Sequence, residues 1–318
     1  RSSTLASTVA SMSGEGSGME TPVGVVAGSP QATTSATSTS PSASTALCLM
    51  PVTMSLPLGA VQLRGQEVHS MKSAADAVDA GFTAVRFGAF GPEFWLHDSY
   101  GEWADHAVER VGAVREAVGN ATDICVEVHR QMNPAESIAL GRRLEQFNPY
   151  FYEDPMLPDS PAIMGAIQDR CNLPIATGER FSTIYEYQQL LENNACAYVR
   201  PDLCLCGGLS GSKKVAALAE SHHVKVIPHN PLSPVSTAAC VQLDACIPNF
   251  ALQEYTGESE PPKSELLVDP IKLENGYLIV PEGPGLGIEL SEAAISKYPF
   301  QDKILETPIA ADGSVADR

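Results

Sequence analysis

Between residues 66 and 254 the chain switches repeatedly between two apolar periods. Stretches with apolar residues three and four apart predict amphipathic helices. Short β-branched or aromatic runs between them predict strands. The helical stretches fall at 66–80, 99–119, 133–147, 160–170, 183–193, 208–222 and 234–245. The strand runs fall at 83–87 (TAVRF), 123–129 (DICVEVH), 150–153 (YFYE), 173–177, 196–201, 224–228 and 249–254. Punctuation agrees with these limits. The stretch ending at Gly119 has a helix C-cap signal, and Asn133-Pro134 supplies an N-cap followed by proline at the first helical position. A further strand is expected in ALCLMPVTMSLPL, residues 46–58, although Pro51 and Pro57 interrupt it. Strands that alternate with helices of this length predict a parallel sheet. After residue 255 the alternation stops, and Asn275-Gly276 between two apolar runs predicts a hairpin.

Three segments follow from this pattern. Residues 1–45 are dominated by Ser, Thr, Ala and Gly and cannot bury enough apolar surface to offset their ordering entropy, so disorder is expected. Residues 46–255 carry the alternating units, and residues 256–318 are expected to close on them as a hairpin and tail. The chain starts with Arg rather than Met, which fits an incomplete N-terminus.

Charge narrows the partners. Lys and Arg number 20 against 38 Asp and Glu, giving a formal charge of −18. Phosphate backbones need a basic face, so no nucleic-acid partner is expected. Carboxylate clusters instead suit a hard divalent cation. No apolar run reaches the length of a membrane span and no secretory signal is legible, so no membrane association is expected. The eight cysteines include no CxxC pair and mostly sit in apolar contexts. Reduced, buried thiols of a cytoplasmic protein are expected.

Six acidic or imidazole residues then stand out: Glu127, Glu153, Glu179, Asp202, His229 and Glu254. Each ends a strand-like run, and they recur about every 25 residues, the length of one strand, helix and their loops. One functional side chain per βα unit is what a (β/α)8 barrel produces when its site is built at the C-terminal ends of its strands. An open doubly wound sheet is the rival, but it needs no such residue on every strand. Glu127, Glu153 and Glu179 would meet at one barrel mouth. Unpaired, these carboxylates would lift one another's pKa values, and a Mg²⁺ ion bound through oxygen removes that conflict. The plain alternative is a set of surface acids at strand ends.

Five motifs in this order, YFYEDP, PIATGERF, VRPDLCLCGGL, VIPHNPLSPV and LQEY, make the chain resemble the mandelate-racemase branch of the enolase superfamily, especially its acid-sugar dehydratases such as galactonate dehydratase. The likeness covers about residues 70–318. It implies a modified (β/α)7β barrel, Mg²⁺ on Glu127, Glu153 and Glu179, His229 as base, Asp202 as its partner and Glu254 as the acid ending the eighth strand. The implied reaction is dehydration of a sugar acid, an aldonate, to a 2-keto-3-deoxy acid through an enediolate. The substrate is then a small molecule, and a homo-oligomer is expected. His129 lies two residues after Glu127, on the same strand face. In the dehydratases a histidine at this position is the general acid; the alternative is a loop residue that shapes the pocket. For His229 the alternative is a buried core histidine.

Arg86 stands where racemases of this group carry a basic lysine. Arginine does not deprotonate in proteins, so it either binds substrate or makes a structural ion pair. Arg180 either pairs locally or reaches substrate, and Asn230 is a further substrate-binding candidate. His222-His223 reads as a solvated helix end. GGLSG, residues 207–211, lacks the P-loop lysine and reads as close packing at a helix start. Two departures matter. The third-strand ligand is Glu127 where the common pattern has Asp, and the D-x-H-G-R context reads E-V-H-R-Q. The resemblance also implies an N-terminal α+β capping domain, which nothing in residues 1–60 resembles. A racemase or cycloisomerase, or a truncated barrel without activity, is therefore carried beside the dehydratase.

Overall fold

The computed structural model describes residues 60–63, 67–90, 99–302 and 313. The low-complexity segment 1–45 and the Pro-broken run 46–58 lie outside the described residues. Strands and helices alternate. They run β1 (Ala60–Leu63), α1 (Glu67–Asp79), β2 (Ala84–Gly88), α2 (Tyr100–Val118), β3 (Asp123–Glu127), α3 (Pro134–Leu144), β4 (Phe151–Glu153) and α4 (Pro161–Gln168). Then come β5 (Ile175–Thr177), α5 (Ile184–Glu192), β6 (Tyr198–Val199), α6 (Gly208–Ser221), β7 (Lys225–Val226), α7 (Pro234–Asp244) and β8 (Glu254–Tyr255). Beyond them lie the hairpin strands β9 (Leu273–Glu274) and β10 (Tyr277–Leu278) and a last short helix, α8 (Glu292–Lys297). The first strand thus begins at Ala60, later than the run expected to hold it. AVQL is too short to show a period of its own.

The eight strands form one parallel sheet in the order β7-β6-β5-β4-β3-β2-β1-β8. A bridge from Val226 to Phe250 closes it. The Val226 N–H donates to the Asn249 carbonyl at 2.9 Å and the Ala251 N–H to the Val226 carbonyl at 2.9 Å. The sheet is therefore a TIM-type barrel with seven helices between its strands, and not an open sheet. β6, β7 and β8 are two residues each, shorter than the sequence runs. Pro201 and Pro228 follow β6 and β7 closely, and proline has no N–H to donate to a ladder.

Helix ends follow local chemistry. Ser99 caps α2 by accepting the Glu102 N–H, and Gly119 closes it at φ 67. Asn133 and Glu136 form a reciprocal capping box on α3, with Pro134 in its first turn. Such caps contribute about 1 kcal/mol each.

Strand alternation sorts the side chains into layers. Val85, Phe87, Ile124, Val126 and Tyr152 face outward and pack with helix residues such as Val111, Val114 and Leu140. Ala84, Cys125, Phe151, Ala176, Ile227 and Leu252 form a separate apolar cluster with Tyr198 packed on it, inside the barrel. Two residues further along the same strands stand Arg86, Glu127, Glu153, Arg200, His229 and Glu254. The apolar plug is the floor, and the charged residues are the layer above it, toward the strands' C-terminal ends.

The hairpin forms at Asn275-Gly276, with φ 50 and 78. A Cβ on Gly276 would stand 1.9 Å from the Gly81 carbonyl oxygen, so the turn is pressed against the α1–β2 connection. Seven cysteines among the described residues are unpaired thiols, five of them buried.

Candidate active site

Register brings the carboxylates together. Glu127 pairs across the ladder with Glu153, and Glu153 with Ala176. Ala176 faces the barrel interior, and Gly178 at φ 116 redirects the chain after β5 before Glu179. A Cβ at Gly178 would press on Tyr187 at 2.9 Å, so the turn needs glycine on both counts. Glu127, Glu153 and Glu179 are all buried, and one oxygen from each lies within 4.8 Å of the others.

Three arginines share these acids. Arg86, only 1% exposed, binds Glu153 through Nε and Nη2, reaches Glu127 Oε1 at 2.8 Å and Glu254 Oε1 at 3.4 Å. Of the two roles weighed for Arg86, these contacts have the geometry of the ion pair, with its fork against three carboxylates. Arg200 reaches Glu153 Oε1 at 2.5 Å and Glu254 Oε2 at 2.5 Å, and its guanidinium lies 5.9 Å from the Phe151 ring centroid. Arg130, in the turn after β3, places Nη1 2.5 Å from Glu179 Oε1 and 3.2 Å from Asp154 Oδ2.

The electrostatics follow from these pairings. Burial alone would raise the pKa of Glu127, but Arg86 and His129 outweigh it and hold the carboxyl at about 2. Glu254 is likewise held at about 2, with Arg86 and Arg200 overcoming burial. Burial pushes Glu153 upward despite both arginines. Burial, then Glu179 and Glu153, push Asp154 up to about 7.

On the opposite side of the mouth, a bridge joins Asp202 to His229. His229 Nδ1 lies 2.9 Å from Asp202 Oδ2, and Nε2 lies 3.3 Å from Glu179 Oε2. The other Asp202 oxygen accepts the Cys204 N–H at 2.7 Å. Asp202 thereby accepts from Nδ1–H and leaves Nε2 facing the acids. Burial lowers the His229 pKa, but the Asp202 hydrogen bond and the charges of Glu254 and Glu179 raise it overall. Asn230 donates its N–H to Glu254 Oε2 at 3.0 Å and its Nδ2 to Thr237 Oγ1 at 2.8 Å. It is 2% exposed and ties the β7 exit to β8.

His129 stands at the β3 exit with Nδ1 2.7 Å from Glu127 Oε1 and Nε2 2.8 Å from Arg130 Nη2. Its side chain is 43% exposed. His129 and Arg130 both lie in the left-handed region, at φ 51 and 66, which costs roughly 1–3 kcal/mol per residue. Hydrogen bonds from the Arg130 N–H to Asp154 O (2.8 Å) and from Gln131 Nε2 to His129 O (3.0 Å) hold this turn.

The structure thus gathers Glu127, Glu153, Glu179, Glu254, Asp202, His229, His129, Arg86 and Asn230 around one mouth. Arg180 follows Glu179 but is exposed. Sequence reasoning missed Arg130, Asp154 and Arg200. Arg200 was within reach, since it precedes Asp202 by one strand period. Arg130 and Asp154 sit in turns with positive φ, where no period applies.

An eight-stranded parallel barrel with acids ending its third, fourth and fifth strands and a His–Asp pair across the sixth and seventh defines an enolase-type barrel. Residues 70–294 match the family described as enolase C-terminal domain-like, and the chain belongs to that family. It is similar to a D-gluconate dehydratase of Thermoproteus tenax, 34% identical over 242 residues, covering 75% of this chain and 48% of that protein. It is also similar to a D-galactonate dehydratase of Verminephrobacter eiseniae, 33% identical over 248 residues, covering 76% and 64%. Among solved structures, an enolase of Agrobacterium radiobacter bound to sodium and L-malate superposes with a TM-score of 0.75 at 27% identity, covering 81% of this chain and 70% of that one. The chain spans about half to two thirds of the length of these two curated relatives. Among the described residues no helix is long and apolar enough to cross a membrane.

Proposed function

We propose that the chain carries the catalytic barrel of a Mg²⁺-dependent sugar-acid dehydratase, acting on an aldonate such as gluconate or galactonate. The observation that carries this reading is the meeting of three buried carboxylates with a His–Asp pair, His229 Nε2 lying 3.3 Å from Glu179. The names and identities of the two curated relatives support the substrate class.

The residues fit a hard cation. All three candidate ligands are oxygens, and Glu179 Oε2 is buried without a hydrogen-bond donor among the described residues. Glu127, Glu153 and Glu179 would hold Mg²⁺, which supplies charge stabilisation at the substrate carboxylate as the α-proton leaves. His229 takes that proton on Nε2. Asp202 holds the opposite edge of the ring and stabilises the imidazolium that results. His129, the partly exposed imidazole on the β3 side, gives a proton to the departing 3-hydroxyl. The C–H and C–O bonds break, water leaves, and the resulting enol tautomerises to the 2-keto-3-deoxy acid. Arg86, Arg200 and Glu254 act beside them, as the fixed part of the charged layer that keeps the ligand carboxylates in place. Asn230 anchors Glu254 within that layer.

A racemase would need a second base on the opposite face. Arg86 occupies that strand, is spent on three carboxylates and does not deprotonate, which favours dehydration. Incubating the protein and Mg²⁺ with a panel of aldonic acids, then trapping 2-keto products with semicarbazide, tests the proposal. A keto product from at least one aldonate is expected. Epimerised aldonate without keto product would move the assignment to a racemase.

A further inference from the structure

We propose that Arg130 gates the cation site: without metal its guanidinium holds the third carboxylate of the triad, and a divalent cation binds by displacing it toward Asp154. This rests on the reading of Glu127, Glu153 and Glu179 as the cation ligands.

The three arginines at the site are not equivalent. Arg86 and Arg200 leave the barrel wall, from β2 and just past β6, and engage Glu153 and Glu254 within the charged layer. Arg86 reaches Glu127 as well, and among the described residues neither forms an ion pair with Glu179. Arg130 comes from the turn beyond β3, and its engagement with the triad is with Glu179. Its side chain is 3% exposed, so the ion pair is shielded from solvent. Of the two Glu179 oxygens, Oε1 is taken by Arg130 at 2.5 Å, while Oε2 accepts no hydrogen bond among the described residues and lies 3.3 Å from His229 Nε2. One oxygen of a ligand carboxylate is thus masked by a resident cation.

That cation cannot release Oε1 by losing its proton, because a guanidinium stays charged. To free that oxygen it must move. The backbone is pinned by the Arg130 N–H to Asp154 carbonyl bond at 2.8 Å, which leaves the motion to the side chain. A second partner is already in contact: the same Nη1 lies 3.2 Å from Asp154 Oδ2. Asp154 follows Glu153 but is not one of the three clustered ligands. Metal arrival would therefore take away one acidic partner of Arg130 while the other is kept. Buried charge is compensated in both states, so the barrel tolerates metal loss and its affinity for the cation is tempered.

Two measurements test this. Calorimetric titration with Mg²⁺ should show binding about ten- to a hundredfold tighter in Arg130→Gln than in wild type, the scale of one charge-assisted hydrogen bond. Arg130→Lys keeps the charge but loses the planar guanidinium, and should fall between them. Removing any nearby positive charge would also tighten binding, so the second measurement needs no variant. In a crystal structure of the wild-type protein soaked with Mg²⁺, Arg130 should have left Glu179 and remained on Asp154. A Mg²⁺-loaded structure with the Arg130–Glu179 pair intact overturns the gate, as does unchanged or weaker affinity in Arg130→Gln. If wild type binds Mg²⁺, Glu153→Gln does not and Arg130→Gln binds like wild type, the gate fails while the cation site stands. If no protein binds Mg²⁺, both fail.

Discussion

Replacing Arg86 by Met removes one cation from among three buried acids. The guanidinium grips both oxygens of Glu153, and lies 2.8 Å from Glu127 and 3.4 Å from Glu254. Arg200 still compensates Glu153 and Glu254 at 2.5 Å, so the loss falls short of stranding all three charges. Breaking a buried pair by removing one partner costs about 3–5 kcal/mol, because the other charge stays behind. In a protein of this size that is roughly a 6–20 °C fall in Tm. The pH dependence carries the sign. Glu127 is held at about 2 chiefly because Arg86 outweighs its burial. Without Arg86 its folded pKa rises. A carboxyl whose folded pKa rises above its unfolded value makes the folded state bind more protons, so stability falls as pH rises from the unfolded pKa through the folded one. The variant should therefore lose most stability near neutral pH and recover part of it toward pH 4. Urea unfolding of both proteins from pH 4 to 8 measures this. A loss under 1 kcal/mol at pH 7, or one independent of pH, would refute the idea that Arg86 compensates the acids.

Other consequences reach different parts of the molecule. Asp244 closes α7 at 2% exposure with neither carboxyl oxygen hydrogen-bonded among the described residues, and burial pushes its pKa well up. Its raised folded pKa makes wild type lose stability as pH rises above the unfolded value, so Asp244→Asn should gain about 1–3 kcal/mol at pH 7 in urea unfolding and flatten that slope. His129→Gln should keep exchange of the substrate α-proton with D₂O while dehydration falls about 10²–10⁴-fold, the range for one general acid. Joint loss of both activities would make His129 structural. Gly276→Ala should lower stability by roughly 1–3 kcal/mol, since its Cβ would strike the Gly81 carbonyl at φ 78; an unchanged midpoint would show that the hairpin is not pressed on the barrel.

The barrel was legible because its information is periodic. Strand alternation placed Glu127, Glu153, Asp202, His229 and Glu254 at the ends of successive strands, and the ladder sets Glu127 beside Glu153. What the period could not give was the partner of each charge. Arg86 meets Glu254 because β1 pairs with both β2 and β8, a relation between residues far apart in the chain. Arg130 and Asp154 escaped for a local reason: both lie in turns at positive φ, where side-chain direction follows the turn and not strand alternation. Prolines 201 and 228 shortened β6 and β7 below the apolar runs that predicted them, and β1 was too short for a pattern to reveal.

The central claim is that His229, poised by Asp202 against the carboxylate triad, abstracts an α-proton in a metal-dependent way. Proton NMR of gluconate and galactonate in D₂O, with the wild-type protein and Mg²⁺, follows that step directly. Loss of the α-proton signal is predicted for wild type, with no loss in His229→Asn or after EDTA. Exchange at the wild-type rate in His229→Asn would contradict the account.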